Sequence, residues 1–430
     1  MGTFLLYLPI SSRPGHSCSL IDALFTATSA VCVTGLIVRD TPVDFSLFGQ
    51  LVICGLIQVG GFGYMTSATI LAFLAGKRIG VRERIVMIQE SLTSTNVHSV
   101  KDFIKAVAKV TLLIEAIAAV ILSVRFMFGL PAPQAILNGF FHSISAFNNA
   151  GFALFSDNLM SYQHDPVINF TILFTVVAGA LGFLNITEFY NRARRRVPQL
   201  TVHAKISLWA AVVLTFGGAT LLLAFDYNNP DTLGPLSFFE KSQAAIFHSA
   251  AARTAGFNTI NIGAMSVTSL FLIIVLMFIG GSPGSTAGGV KTTAAATVLL
   301  SLYATIRGRL DVQIYGRRLP QDLVAKAFLI VFLGALCLVG GTFMILIIEG
   351  NKGFKYLEVL FEVTSALGTT GLSYGDGGAR SLTALFSPLG KLVIIVLMFL
   401  GRLGPLTVAA AVLTQAHQRF RYPETRIQVG

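Results

Sequence analysis

The sequence predicts an all-α polytopic membrane protein built from four repeats of span, short helix and span. Three observations predict it. Of 430 residues, 54% are apolar and only 12% are charged, where soluble domains carry about 25% charged residues. Mean hydropathy is +0.73. Long apolar segments alternate with half-apolar stretches too short to cross a bilayer. This composition excludes a soluble globular enzyme, a disordered regulator and a fibre.

The long segments run at 47–75, 103–127, 167–190, 203–225, 266–306, 325–349 and 388–416. Each meets the roughly 20 residues needed to cross a ~30 Å hydrocarbon core. The short stretches are 20–33, 134–149, 238–254 and 355–369. They cannot span, and they are too apolar for surface loops, so they read as re-entrant segments. The repeats are residues 1–75, 76–198, 199–310 and 311–418, followed by a tail at 419–430. The only apolar run before the first short stretch is Gly2–Ile10, so repeat one is expected to lack its opening span, by truncation or a late start codon.

The net charge of +11 sorts by side. Lys77–Lys109 holds seven Lys/Arg, Arg192–Lys205 five and Arg307–Lys326 five, while twelve of the twenty carboxylates lie around the short stretches. Basic loops stay cytoplasmic, so the short stretches enter from outside. The charge is a topology signal, and nucleic-acid binding is not expected. The four cysteines show no CxxC spacing, which leaves no disulfide framework or zinc site. No HExxH or phosphate-loop string occurs, and no catalytic residue is assigned.

The short stretches align without gaps on a glycine: Gly35, Gly151, Gly256 and Gly371. Ala30, Ala146, Ala251 and Ala366 stand five residues earlier, and a large apolar residue follows each glycine. Small residues alone would serve close helix packing. A fixed glycine ending a non-spanning helix in all four copies needs more. A dehydrated cation requires a ring of backbone carbonyls, glycine supplies the unusual dihedrals that turn them inward, and a short helix aims its negative end at the ion. The expected architecture is therefore four span–pore helix–span units around a pseudo-fourfold pore. Its filter is Val33-Thr34-Gly35, Asn149-Ala150-Gly151, Thr254-Ala255-Gly256 and Thr369-Thr370-Gly371.

The span after each filter is interrupted by glycine, most severely in repeat three, where the break covers 280–290. Gly280-Gly281-Ser282-Pro283-Gly284-Ser285-Thr286-Ala287-Gly288-Gly289 cannot hold a helix. Unwound backbone at membrane depth must line water or be buried in protein. This segment, with Lys291, is expected to form a gate beneath the filter. Arg402 stands mid-span, where a charge costs about 2.5–3.5 kcal/mol. It reads as a cation barrier or as a pin on the free carbonyls of the 280–289 loop. Arg253 is expected to point behind the filter towards an acid or carbonyl. Asn148, Asn149 and Asn258 are expected to brace its backbone. Asp40, Asp157 and Asp376 follow filters closely enough to concentrate cations at an outer mouth. Glu115, inside a span, is expected to pair with a cytoplasmic base. None of the seven histidines has a ligand-like partner in the sequence.

Ala27–Leu36, Arg253–Ile260 and Met277–Thr293 resemble the superfamily of Trk, Ktr and HKT potassium transporters. The Gly-Ser-Pro-Gly-Ser-Thr string and the tail Tyr422–Gly430 resemble most the bacterial Ktr membrane subunit. The resemblance spans essentially the whole chain. It implies K+ as the permeant ion, with Na+ as an activator in many members. It implies a homodimer in the bacterial inner membrane with Gly430 at the subunit interface. It also implies a cytosolic ring of RCK regulatory subunits that carry the nucleotide. Arg402 matches the family's arginine near the gate. The gate reads Ser-Thr-Ala-Gly-Gly-Val-Lys where many relatives have Ser-Thr-Gly-Gly-Gly-Ile-Lys, so Ala287 should stiffen that turn. The alternative reading is a symporter coupling K+ to Na+ or H+.

Overall fold

A computed structural model describes residues 1–63, 100–195, 198–309, 311–375 and 380–404, with the side chains of 100–106 left undescribed. Repeat one contains α1 (Gly2–Tyr7), α2 (Leu20–Val31) and α3 (Leu47–Gly61). Repeat two contains α4 (Val100–Phe126), α5 (Ala132–Phe147), α6 (Pro166–Leu181) and α7 (Phe183–Ala193). Repeat three contains α8 (Val202–Asp226), α9 (Phe238–Ala251), α10 (Val267–Phe278) and α11 (Thr292–Ile306). Repeat four contains α12 (Gln321–Glu349), α13 (Tyr356–Gly368) and α14 (Pro388–Leu403). A two-residue β-hairpin, Gln313–Ile314 with Arg317–Arg318, joins α11 to α12.

Three described helices are long and apolar enough to cross a membrane alone: Val107–Phe126, Val202–Asp226 and Gln321–Lys352. They open repeats two, three and four. The apolar run expected at 167–190 is not one straight span. It bends by 100° between α6 and α7, because Gly182 takes a φ of +89° that a helix cannot accommodate. The run at 266–306 is broken as expected, between Phe278 and Thr292. The second halves of the runs at 47–75 and 388–416 lie outside the described residues, as do most of the basic loop 77–109 and the whole tail 419–430.

The short helices α2, α5, α9 and α13 start and stop for local reasons. Ser19 and Ser237 accept from the amides of Asp22 and Glu240, which satisfies donors that a helix start leaves open. Each helix ends three to five residues before its glycine. The chain then enters a left-handed conformation at Val33, Asn149, Thr254 and Thr369, which terminates α-helical hydrogen bonding.

Packing runs round the molecule in a closed cycle. The span after each glycine packs on the next repeat's short helix: α3 on α5, α6 on α9, α10 on α13, and α14 on α2. At the last junction Lys391 and Arg39 both engage the Asp22 carboxylate, at 2.8 and 3.1 Å. Glycines make this approach close. A methyl group at Gly60, Gly179 or Gly401 would lie 2.1, 1.9 or 2.0 Å from the carbonyl oxygen of Val31, Phe147 or Leu367 respectively. Each of those carbonyls belongs to the last turn of a short helix.

Candidate functional site

The four aligned glycines meet in one ring. A methyl group at Gly35 would lie 2.4 Å from the Ala150 carbonyl oxygen, and one at Gly151 2.8 Å from Gly256 Cα. One at Gly256 would lie 2.6 Å from the Thr370 oxygen, and one at Gly371 2.3 Å from the Thr34 oxygen. Contacts that close between Gly371 and Thr34 join the two ends of the chain's repeat order. No side chain fits at any of the four positions.

Backbone conformation repeats with the ring. The glycines have φ of +90°, +70°, +73° and +90°. Val33, Asn149, Thr254 and Thr369, two residues earlier, have φ of +56°, +58°, +79° and +49°. Positive φ is rare for any residue but glycine and an outlier for β-branched ones, and it costs about 1–3 kcal/mol per residue. It persists because the surroundings hold it. The residues between, Thr34, Ala150, Ala255 and Thr370, keep ordinary negative φ. The left-handed residue at the second-to-last position carried no signature in the sequence, since valine, asparagine and threonine share no preference for it.

Hydrogen bonds behind the ring fix it. The amides of Thr34, Ala150 and Thr370 donate to the carbonyls of Ser29, Ser145 and Ser365. Ser29 and Ser365 hydroxyls accept from Gly35 and Gly371 amides at 3.1 and 3.0 Å. Repeat three has Ala250 at the equivalent position and closes its turn by Ala255 N–H to Ala251 O instead. Asn149 accepts from the Thr254 hydroxyl at 3.2 Å and donates to the Ala146 and Val176 carbonyls, each at 3.0 Å. That bond ties the second copy to the third.

Other polar residues fall behind the ring rather than in it. Arg253 is buried and donates to the Thr215 hydroxyl on α8 at 2.5 Å, where an acid or carbonyl was the expected partner. Asn148 donates to the Glu115 carboxylate at 3.0 Å and to Gln58 at 3.1 Å. Gln58 also donates to Glu115, at 3.3 Å. Among the described residues Glu115 thus pairs with amides of α3 and of the second copy, while most of the basic loop expected to supply its partner lies outside them. Asn258 bonds the Ile260 carbonyl at 3.1 Å, just beyond its glycine. Sequence reasoning missed Asn158, whose amide reaches the Gly256 carbonyl at 3.4 Å; lying seven residues past Gly151, it falls outside the repeated pattern.

Above the ring lies an open cavity bounded by all four glycines with Asn158, Asn258 and Asn261, Ser373, Ser381 and Arg380. No carboxylate lines it among the described residues. Asp40 accepts from the Ser156 hydroxyl at 2.6 Å, and burial pushes its carboxyl above the usual range. Asp157 accepts from the amide and hydroxyl of Ser161. Asp376 lies outside the described residues.

Below the ring, residues 280–289 form an extended loop with no helix. It is held at its ends by pairing of Ile279 with Val290 and by Gly280 N–H to Val290 O at 2.9 Å. Ser282 N–H reaches Ala180 O at 3.1 Å, and Phe183 N–H reaches Gly284 O at 3.1 Å. The loop therefore docks on the α6–α7 bend. Thr286 donates its hydroxyl to Phe147 O at 3.3 Å, and a methyl at Gly288 would strike the Thr369 hydroxyl at 2.1 Å. Lys291 Nζ reaches back to Ala287 O at 2.5 Å. Arg402 donates to Thr286 O in the loop and to Gly60 O on α3. Pro283, Ser285 and Gly289 complete the turn, with Ser285 donating to Ser282 O at 2.6 Å. Both predicted groups of residues, ring and loop, are thus brought into direct contact.

The model of the TrkH family, described as cation transport protein, matches residues 2–421. The chain belongs to the TrkH cation transport family. This is a family of membrane transporters and not of enzymes. The chain is 38% identical over 430 residues to Ktr system potassium uptake protein B of Bacillus subtilis, covering 100% of this chain and 94% of the relative. It is 36% identical over 426 residues to the Vibrio alginolyticus protein of the same name, covering 99% and 91%. Potassium/sodium uptake protein NtpJ of Enterococcus hirae is 37% identical over 437 residues, covering 100% and 94%. The crystal structure of the potassium transporter TrkH from Vibrio parahaemolyticus superposes with a TM-score of 0.70 at 20% identity, over 92% of this chain and 79% of that one. That likeness establishes the TrkH fold.

Proposed function

We propose that this chain is the potassium-translocating pore subunit of a bacterial K+ uptake system of the Ktr kind. The closed ring of Gly35, Gly151, Gly256 and Gly371 carries the proposal. Four left-handed glycines in mutual contact, each backed by a short helix, are what a carbonyl ring for a dehydrated cation needs. The relatives' names, potassium uptake proteins at 36–38% identity, support K+ as the ion. Thr34 and Thr370 hydroxyls, buried without hydrogen-bond partners, offer further oxygens beside the ring.

The 280–289 loop is proposed as the gate. It is unwound at membrane depth and lies against the ring, and Arg402 and Lys291 hold it by bonds that can be exchanged for water. A homodimer closed by the 419–430 tail, Na+ activation and a cytosolic nucleotide-binding RCK ring complete the proposal. Membrane orientation follows the basic loops, with the filter entered from outside. Asp40, Asp157 and Asp376 remain proposed as an outer ring of charge, with Asp40 and Asp157 set back from the amide-lined mouth.

The test is K+ flux into liposomes carrying the full chain, with Na+ and H+ gradients imposed separately. Flux that only dissipates the K+ gradient, and that loses selectivity in Gly256→Ser, supports the pore. Uphill K+ movement driven by either gradient would replace it with a symporter, and Glu115→Gln would then be the first variant to make.

A further inference from the structure

Two buried histidines make the same pair of bonds in two repeats. His142 on α5 and His248 on α9 are fully buried. His142 Nδ1 lies 2.8 Å from the Asn138 carbonyl oxygen one turn back, and its Nε2 lies 3.4 Å from the Leu154 amide. His248 Nδ1 lies 2.9 Å from the Ala244 oxygen, and its Nε2 lies 3.3 Å from the Thr259 amide. A carbonyl only accepts and an amide N–H only donates. Each ring therefore donates from Nδ1 and accepts at Nε2, which makes it the neutral Nδ1–H tautomer.

Leu154 and Thr259 each stand three residues after their ring glycine. The histidines stand one residue out of register with each other, so the same bond is reached from adjacent positions of the helix. The other two copies are tied differently. Ile37 donates its amide to the Ser381 hydroxyl at 2.9 Å, and Ser373 donates its hydroxyl to Glu362 at 2.6 Å. In the second copy Ser145 adds a bond to the Phe152 carbonyl at 2.7 Å. The third copy has Ala250 there and depends more on its histidine.

We propose that His142 and His248 are positioning residues for cation discrimination. As neutral acceptors they anchor the outer halves of the second and third filter segments, and so fix where the carbonyls after Gly151 and Gly256 stand. This rests on the carbonyl-filter reading above. Removing the acceptor leaves a buried amide unpaired and the segment free to shift.

The experiment measures Rb+ uptake into liposomes by the full chain, competed with K+ and with Na+. His142→Leu and His248→Leu fill similar volume without an acceptor, whereas the Gln variants keep an oxygen. We expect the Leu variants to lose about tenfold in K+-over-Na+ discrimination, His248→Leu the more, and the Gln variants to stay within about twofold of wild type. Assembled Leu variants with wild-type discrimination, or Gln variants as impaired as Leu, would overturn the proposal. If the Leu variants do not assemble, nitrogen NMR of the histidine-labelled wild-type chain decides, with the Gln variants for assignment. Protonated Nδ1 with bare Nε2 at both rings supports the anchor, and protonated Nε2 overturns it. Unchanged discrimination in Gly256→Ser would instead overturn the filter reading and the discrimination role with it, while the tautomer measurement still reports on the anchor.

Discussion

The glycine ring and the 280–289 loop lie against each other and are held in different ways. The ring is over-determined. Each glycine abuts its neighbour, eight residues sit in left-handed conformations, and serines, histidines and an asparagine brace them from behind. The loop is buried too, at Ser282, Thr286 and Ala287, but it has no helix of its own and its links to neighbouring elements are mostly single polar bonds. It is hung from backbone carbonyls by Arg402, Lys291 and Thr286, and from the α6–α7 bend by a few amides. Strain survives only where the surroundings dictate it, while the charge-assisted bond from Arg402 to the loop is a single strong link that one substitution removes. In the proposed pore, a ring fixed by its own backbone and a loop fastened by single polar bonds would separate selection from regulation.

The largest expected effect breaks the ring. Gly371→Ala places a methyl 2.3 Å from the Thr34 oxygen at a φ of +90°. Neither contact nor dihedral can relax without moving the adjoining copies. K+-over-Na+ discrimination in liposomes should fall by more than about tenfold, the equivalent of at least about 1.4 kcal/mol. Retained discrimination would show that the ring is not the selecting element.

Next comes the loop. Arg402→Ala removes bonds to both Thr286 and Gly60 and should raise K+ flux by about tenfold at unchanged discrimination, since hydrogen bonds from a charged group contribute about 1.5–3 kcal/mol. Deleting 282–286 should raise flux further. If Arg402→Ala altered discrimination instead, loop and ring would be one element and the contrast between them would fail.

A smaller effect sharpens the boundary. Thr286→Val removes the hydroxyl bond to Phe147 O at 3.3 Å but keeps the Arg402 bond to the Thr286 carbonyl. A neutral bond contributes about 0.5–1.5 kcal/mol, so flux should rise by only about two- to fivefold. In combination with Arg402→Ala, non-additivity would measure how far the two anchors act as one.

This contrast also explains what the sequence made legible. Repetition every hundred-odd residues exposed the short helices to within about three residues, because an aligned glycine and an alanine five residues earlier leave a trace in each copy. The broken span was legible because Pro283 and the surrounding glycines cannot be helical. The bend at Gly182 was legible as a glycine site but not as a 100° turn, since the angle depends on where the neighbouring loop docks. Arg402 was legible as costly and therefore engaged. Its acceptors were not, because backbone carbonyls carry no sequence signature. The left-handed residue two before each glycine and the histidine anchors were hidden for the same reason: their partners are amides and carbonyls, and the side chains differ among copies.

The smallest expected effect lies at the outer rim of repeat three, away from both regions. Glu240 closes a capping box on α9, accepting from the Ser237 hydroxyl at 2.7 Å and its amide at 2.9 Å, and meets His164 at 2.6 Å. The hydroxyl and amide of Ser237, then His164, hold its carboxyl down from 4.5 to about 2. A depressed carboxylate contributes stability that is present above its unfolded value and lost as pH falls through the folded one. The contribution is therefore complete above pH 4.5 and fades towards about 2. Glu240→Gln keeps an oxygen for Ser237 but removes the charge. Its unfolding midpoint in detergent should sit slightly below wild type near neutrality and converge on it as the solution is acidified through that window. Discrimination and flux should not move. A variant that shifted either would mean that the rim, and not only the ring and loop, takes part in conduction.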